Sequence, residues 1–431
     1  MKFNLLLLIS FLIISNVSFG QIDSMYTSEY MSRSTKFAWT TFGGDFLMLG
    51  GGSNSFSNNG IARQVDFSPT FIPRLTIGGI HFWGHADFYV NFPLSFLAFQ
   101  QKSTELKNLE YRQGIETGLK IYPLALRQGK VRPYIGGSFR LLSFKQELKG
   151  ANFQYGGTEF QKMIFPVQVG LSYVSSKYIF NFGLNYQTLQ NIDNYITQKD
   201  IEKVQLNPIS FQLGITRYID TDQSIRTQKG VEQENLKYKI LEQDKRLSGW
   251  YWGLGPSAGL QMSKSSYLKG HYPHLYDNFI GGIMPDITFG RFFNKPDMNV
   301  GFSYRTLGST LQGFDDKISI RRHSIMLESY KNLFNWLGFV PFAGITASIE
   351  NLNVKVNGQK YSETKPAVGF IFGWDIRVTK TGTSLLRTNL RWTPNLHIAI
   401  DNKKMMFDNL EFNFIQWVQF IGRKNVYRKH H

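Results

Sequence analysis

The chain has 431 residues, of which 42% are hydrophobic and 15% aromatic, with 40 glycines, no cysteine, a formal net charge of +17 and a mean hydropathy of −0.24. Without cysteine there is no disulfide, thiolate metal site, cysteine nucleophile or lipid-modified N-terminus, and after residue 20 no apolar run approaches the ~18 residues that a membrane-spanning helix needs. The basic residues are scattered over turns, loops and polar strand faces, which fits loops beside acidic lipid headgroups and a polar interior better than a nucleic-acid surface.

Residues 1–20 are built like a secretory signal: Lys2, an apolar stretch from Leu5 to Ile14, then Ser18-Phe19-Gly20 with small residues at −3 and −1. The mature chain is expected to start at Gln21, with 21–35 as an N-terminal periplasmic segment. From Trp39 to Ile421 the dominant pattern is alternation of polar and apolar residues over ten or more positions, longer than the strands of soluble sheets. Alternating segments fall at 36–49, 64–83, 85–100, 108–124, 131–147, 160–174, 177–190, 205–218, 249–262, 280–294, 298–311, 317–331, 338–352, 364–379, 382–399 and 408–421. The first is the weakest, because alternation breaks between Thr41 and Leu49. Tight connections such as Trp83-Gly84-His85, Ser175-Ser176 and Lys295-Pro296-Asp297 alternate with long polar ones at 51–62, 150–159, 191–204, 263–279 and 353–363. Short periplasmic turns, long external loops and an even strand count predict an all-β fold, a transmembrane antiparallel β-barrel of about 16 strands.

Alternation also predicts which side meets lipid. Leu386, Leu390, Trp392, Leu396 and Ile398 alternate with Arg387, Asn389, Arg391, Asn395 and His397. An arginine facing lipid at the bilayer midplane costs about 2–4 kcal/mol, so the polar row is assigned to the lumen. By the same rule Arg112, Glu116, Lys120, Arg140, Arg305, Glu328, Asp375, Arg377, Arg387, Arg391 and His397 are expected to line it.

The halves resemble each other. Ile72-Pro73-Arg74-Leu75-Thr76-Ile77-Gly78 recurs as Met284-Pro285-Asp286-Ile287-Thr288-Phe289-Gly290, and Val131-Arg132-Pro133-Tyr134-Ile135-Gly136 as Phe339-Val340-Pro341-Phe342-Ala343-Gly344. The chain therefore divides into repeat 1 (36–218), a charged periplasmic linker (219–248) with a short helix suggested by Leu236, Ile240 and Leu247, repeat 2 (249–421) and a basic tail (422–431). The segments starting at Pro133, Gly253 and Phe211 (PYIGG, GLGPSAG and FQLGITRY) resemble small eight-stranded outer-membrane barrel proteins, and the leader ending Ser-Phe-Gly-Gln resembles exported proteins of Bacteroidota, which are Gram-negative. That resemblance implies a barrel in the cell outer membrane but no particular activity.

Two architectures stay open: a single ring of sixteen strands, wide enough for water, or two tandem eight-stranded barrels filled by their own side chains. The single ring is favoured because tandem barrels on one chain are uncommon. Chemistry finds little support. His323 and Ser324 are adjacent and project to opposite faces, His397 has no Ser or carboxylate partner, and His271/His274, His81/His85 and His430/His431 lack convergent carboxylates. Gly50-Gly51-Gly52 is followed by no Lys-Ser/Thr. No catalytic, metal or cofactor site is expected and the chain is not read as an enzyme. The expected function is a passive porin-like channel with an arginine-containing lumen; the alternative is a non-conducting structural or adaptor barrel. Expected partners are outer-membrane lipid and lipopolysaccharide, the barrel assembly machinery and further envelope proteins, with no nucleic acid.

Overall fold

The computed structural model describes residues 38–423 except 59–60, 82–83, 101–105, 149–153, 158, 219–227, 277–282, 337 and 378–380; the expected signal, the segment 21–35 and most of the tail lie outside the described residues. The described residues form sixteen long antiparallel staves. The first eight are β1 (Ala38–Leu49), β2 (Thr70–His81), β3 (Ala86–Pro93), β4 (Leu106–Ile121), β5 (Val131–Leu148), β6 (Val167–Ser175), β7 (Tyr178–Tyr186) and β8 (Ile209–Tyr218). The second eight are β9 (Gly249–Gln261), β10 (Met284–Phe293), β11 (Met298–Gly313), β12 (Asp316–Asn332), β13 (Phe339–Val356), β14 (Gln359–Ile376), β15 (Ser384–Trp392) and β16 (Asn409–Phe420).

Each set closes on itself. β1 pairs with β8, Thr41 opposite Tyr218, and also with β2, Ala38 opposite His81. β9 likewise pairs with both β10 and β16. Of the two architectures open to the sequence, the tandem barrels form, and the single sixteen-strand ring that it favoured does not. Closure at eight satisfies every stave edge locally and leaves an interior only as wide as its own side chains. Glycines set that width: a methyl on Gly170 or Gly183 would lie 2.6 or 2.5 Å from the Tyr134 hydroxyl oxygen, so the ring of Tyr134 fits across the lumen because those two positions are bare. Both recurring motifs occupy equivalent staves, the second of each ring and the fifth of each ring.

Several long connections expected as polar loops are folded. Strands Gly52–Asn58, Ile61–Phe67, Asn191–Tyr195 and Ile201–Leu206 make a four-stranded sheet over barrel 1. A six-residue helix, Ser266–His271, and the hairpin of His397–Ile400 with Lys403–Met406 cover barrel 2. These caps have apolar cores. Leu47, Leu49, Phe67, Tyr111, Phe144, Phe160, Ile192 and Val204 are buried together above barrel 1, and Leu268, Ile318, Leu352, Leu396, Ile398, Met405 and Phe407 above barrel 2. The broken alternation in β1 has its reason here, since Leu47 and Leu49 turn inward to the cap while Phe42 and Phe46 stay outside.

In the linker, Gln228–Gln243 is a 16-residue helix, whose Leu241 packs with Leu247 while Leu236 is exposed. The barrels touch directly: Val90 and Ile115 of barrel 1 pack on Ala258 and Phe414 of barrel 2. Beyond the staves the Phe314 amide donates to the Gly156 carbonyl and the Tyr155 amide to the Phe314 carbonyl, both 2.8 Å.

Candidate functional site: the filled barrel interiors

Alternation places one row of each stave outside. The outer rows are apolar and exposed around both rings: Phe46, Phe180 and Leu213 on barrel 1, Phe302, Ile345, Val368 and Trp417 on barrel 2. The inner rows are polar, and six arginines (Arg74, Arg140, Arg305, Arg322, Arg387 and Arg391) are among the largest fully buried side chains. A buried guanidinium requires a partner carboxylate and satisfied N–H groups. Both barrels supply the carboxylates.

In barrel 1, Arg74 on β2 donates from Nε and Nη2 to the two oxygens of Asp45 on β1 (2.5 and 2.6 Å), and from Nη1 to Glu116 on β4. Arg140 on β5 grips the same Glu116 through Nε and Nη2 at 3.2 and 3.3 Å. Gln212 donates to Asp45 at 2.8 Å. Nearer the short turns, Lys120 lies 3.4 Å from Asp87 and over the rings of Tyr89 and Tyr134. Between the two layers is a cavity of about 10 Å³ lined by Asp45, Asp87, Lys120 and Asn181, the size of one water.

Barrel 2 is denser in charge. Arg391 bridges Asp286 and Glu328, the latter at 2.7 Å. Arg322 holds Glu350 through Nε and Nη2 at 2.7 and 2.9 Å and reaches Glu411 at 2.9 Å, while Arg305 pairs with the other oxygen of Glu411. Below them Arg387 is bidentate on Asp375, 2.7 and 3.0 Å, with its guanidinium carbon 5.2–5.5 Å from the ring centroids of Tyr251, Tyr330 and Phe342. Such networks in a low-dielectric interior rigidify the barrel that holds them.

Of the sequence-predicted lumen residues, Glu116, Lys120, Arg140, Arg305, Glu328, Asp375, Arg387 and Arg391 are brought into these networks. Three are not. Arg112 has its side chain 43% exposed and pairs with Glu110 outside, because a register shift between Gln113 and Glu116 reverses the face of β4. Arg377 stands just past the end of β14, against the ring of Phe292, with its Nη2 3.9 Å from Asp375. His397 is off the barrel altogether: β15 ends at Trp392, Asn395 takes a φ of 56°, and His397 opens the cap hairpin with its Nδ1 2.8 Å from the Asn395 carbonyl. Leu396 and Ile398, expected to face lipid, go into the cap core for the same reason.

The sequence reading missed Asp45, Arg74, Asp87, Asp286, Arg322, Glu350 and Glu411. Alternation alone would have found Arg74, which lies between outward Phe71 and Leu75, both exposed. The repeated motif marked it as well: Arg74 in one barrel and Asp286 in the other occupy the same place.

His323 and Ser324 separate as expected for neighbours in a strand. His323 Nδ1 meets the Tyr304 hydroxyl outside at 3.2 Å, and Ser324 donates to Glu350 inside at 2.9 Å. His271 contacts the Tyr267 carbonyl, His274 contacts Asp316, and His85 contacts the Tyr122 carbonyl; His430 and His431 lie outside the described residues. Among the described residues no three His, Asp or Glu side chains gather where a metal could sit. His274, outside the staves, is held below the usual imidazole pKa by burial, with Asp316 pulling the other way.

No family model matches the chain, and no curated protein matches it. Among solved structures the chain is similar to Neisserial surface protein A, at 18% identity over 40% of this chain and 97% of that one, TM-score 0.28. It is also similar to Ail, the attachment invasion locus protein of Yersinia pestis, solved with the heparin analogue sucrose octasulfate: 9% identity, 40% and 97% covered, TM-score 0.27. An outer membrane channel from Pseudomonas putida F1 matches at 9% identity over 90% of this chain and 98% of that one, TM-score 0.22.

Proposed function

We propose that this chain is an exported outer-membrane protein whose two barrels span the bilayer side by side and do not conduct, serving instead as a rigid platform that holds folded caps on one side and the linker helix and tail on the other. The observation that carries it is the pairing of an exposed apolar belt around both rings with interiors filled by ion-paired arginines. Soluble monomers do not leave so continuous an apolar band in water, and eight-strand rings are filled rather than open. Residues 1–20 would direct export, the barrel assembly machinery would insert the staves, and envelope proteins would meet the caps or the linker. The porin-like channel is the reading against which the filled interiors argue. The test is planar-bilayer recording of the purified chain. We expect no stable conductance steps; long-lived open steps that Arg391→Ala enlarges would restore the channel.

A further inference from the structure

The upper outer face of barrel 2 changes character in three steps. Lowest are the exposed Tyr304, Ile325, Ile349 and Val368. Next comes a polar course in which Tyr304 meets His323, Asn351 donates to Thr364 at 2.8 Å, and Ser362 donates to Asn353 at 3.0 Å. Above these the outward positions of β12, β13 and β14 carry Lys317, Arg321, Lys355 and Lys360.

Register brings these cations together. Lys355 lies directly opposite Lys360, Ser319 is opposite Lys355, and Arg321 is opposite Asn353, one diagonal step from Lys355. The hairpin cannot slip to separate them, since its turn is Asn357-Gly358 at φ 44° and 99°, the two-residue geometry that pins pairing. Like charges placed opposite each other repel, and the carboxylates at hand are engaged elsewhere. Glu350 is buried under Arg322, Asp316 meets His274 and Asn357, Asp315 accepts from the Gln154 amide, and Glu363 pairs with Lys365. Among the described residues the outward positions of β11–β14 above the apolar belt include no carboxylate.

On this basis, and resting on the membrane-spanning reading above, we infer that the outward face of Arg321, Lys355 and Lys360 is a docking surface for the phosphorylated headgroup of a glycolipid in the outer leaflet. Arg321 stands four residues above Ile325, about 13 Å along the strand at ~3.3 Å per residue and less in height because barrel strands tilt. That places its guanidinium at headgroup rather than hydrocarbon level. A lipid is favoured over a soluble polyanion because the patch runs through the Tyr304–His323 course into the lipid-facing belt without a break. Arginine and lysine fit phosphate, one as a planar fork and the other as a mobile point charge.

The experiment uses the full chain in phosphatidylcholine vesicles containing phosphorylated lipopolysaccharide, the same glycolipid enzymatically dephosphorylated, or phosphatidylglycerol. Glycolipid retained after detergent extraction is read by native mass spectrometry. The wild type should retain the phosphorylated form. R321Q/K355Q/K360Q should lose it at least tenfold and R321Q alone in part, while K177Q/K295Q/K331Q, with equal charge removed at the opposite rim, should keep it. Heat-modifiable gel mobility checks that each variant is folded. Equal retention of the dephosphorylated form or of phosphatidylglycerol, no loss in the triple variant, or full displacement by soluble heparin would overturn the inference. If the wild type inserts but shows no preference, this proposal alone falls; if it does not insert, the spanning reading falls and takes this one with it.

Discussion

The two barrels solve one problem with opposite signs. In barrel 1 the second stave brings Arg74 to the centre, where it meets Asp45 and Glu116; in barrel 2 the matching position is Asp286, and the arginine, Arg391, comes from the seventh stave. The described inner networks set Arg74, Lys120 and Arg140 against Asp45, Asp87 and Glu116 in the first ring, and Arg305, Arg322, Arg387 and Arg391 against Asp286, Glu328, Glu350, Asp375 and Glu411 in the second. An eight-strand lumen therefore demands paired charge at its centre without prescribing which stave supplies which sign. The reason is that desolvation penalises any lone ion of either sign, and a partner across the ring offsets that penalty equally well from any direction.

Exchanging the matched residues should break the comparison most severely. Arg74→Asp puts a third carboxylate beside Asp45 and Glu116, and we expect a loss greater than the ~3–5 kcal/mol typical of deleting one buried partner. Because the chain has no native cysteine, a single dye-labelled cysteine in each barrel can follow urea unfolding of the two rings separately in vesicles. Ring 1 should melt early while ring 2 keeps its midpoint; a common shift of both would mean that the rings fold as one unit. Glu116→Ala leaves Arg74 with Asp45 and takes from Arg140 the carboxylate that it grips, and the same assay should register about 3–5 kcal/mol in ring 1.

Substitutions on the outer face test what the barrels share. Phe182→Arg in barrel 1 and Ile345→Arg in barrel 2 each put a cation on an exposed apolar row, and each should cost about 2–4 kcal/mol in a bilayer. The same variants should be close to neutral if the belt faced water, so the folding free energy in vesicles decides between lipid and solvent.

The smallest effect concerns the junction between the barrels, where His274 sits among Tyr195, Phe314 and Asp316. Its folded pKa lies below the ordinary 6.5, so the unfolded chain takes up the proton first as pH falls. Its contribution is then fully present above pH 6.5 and declines below it. Melting temperature against pH should fall more steeply on the acid side for wild type than for His274→Asn; parallel curves would remove His274 from the junction's pH response.

How much of this was legible beforehand follows from the range of each interaction. Arg387 and Arg391 inward with Leu386, Leu390 and Trp392 outward could be read directly, because period two is set by strand geometry and a lipid-facing arginine is costly. Arg112 could not: the β4 bulge shifts register by an amount that only the partner strand β5 defines. His397 was misplaced because a residue past the last ladder pair of β15 loses the alternation rule, and the positive φ of Asn395 redirects the chain.

By itself, the order of residues determined sixteen staves, their sidedness and the sorting of charge from aromatic surface, all consequences of local geometry and solvent preference. Only the tertiary structure decided that the ring closes at eight, that the loops fold into apolar caps, and that each buried arginine finds a particular carboxylate. Those choices depend on which distant strand edge meets β1. Every stave offers the same backbone donors and acceptors, so the local pattern cannot name the partner; Tyr134 and the bare glycines opposite it, packed across a narrow lumen, are part of what does.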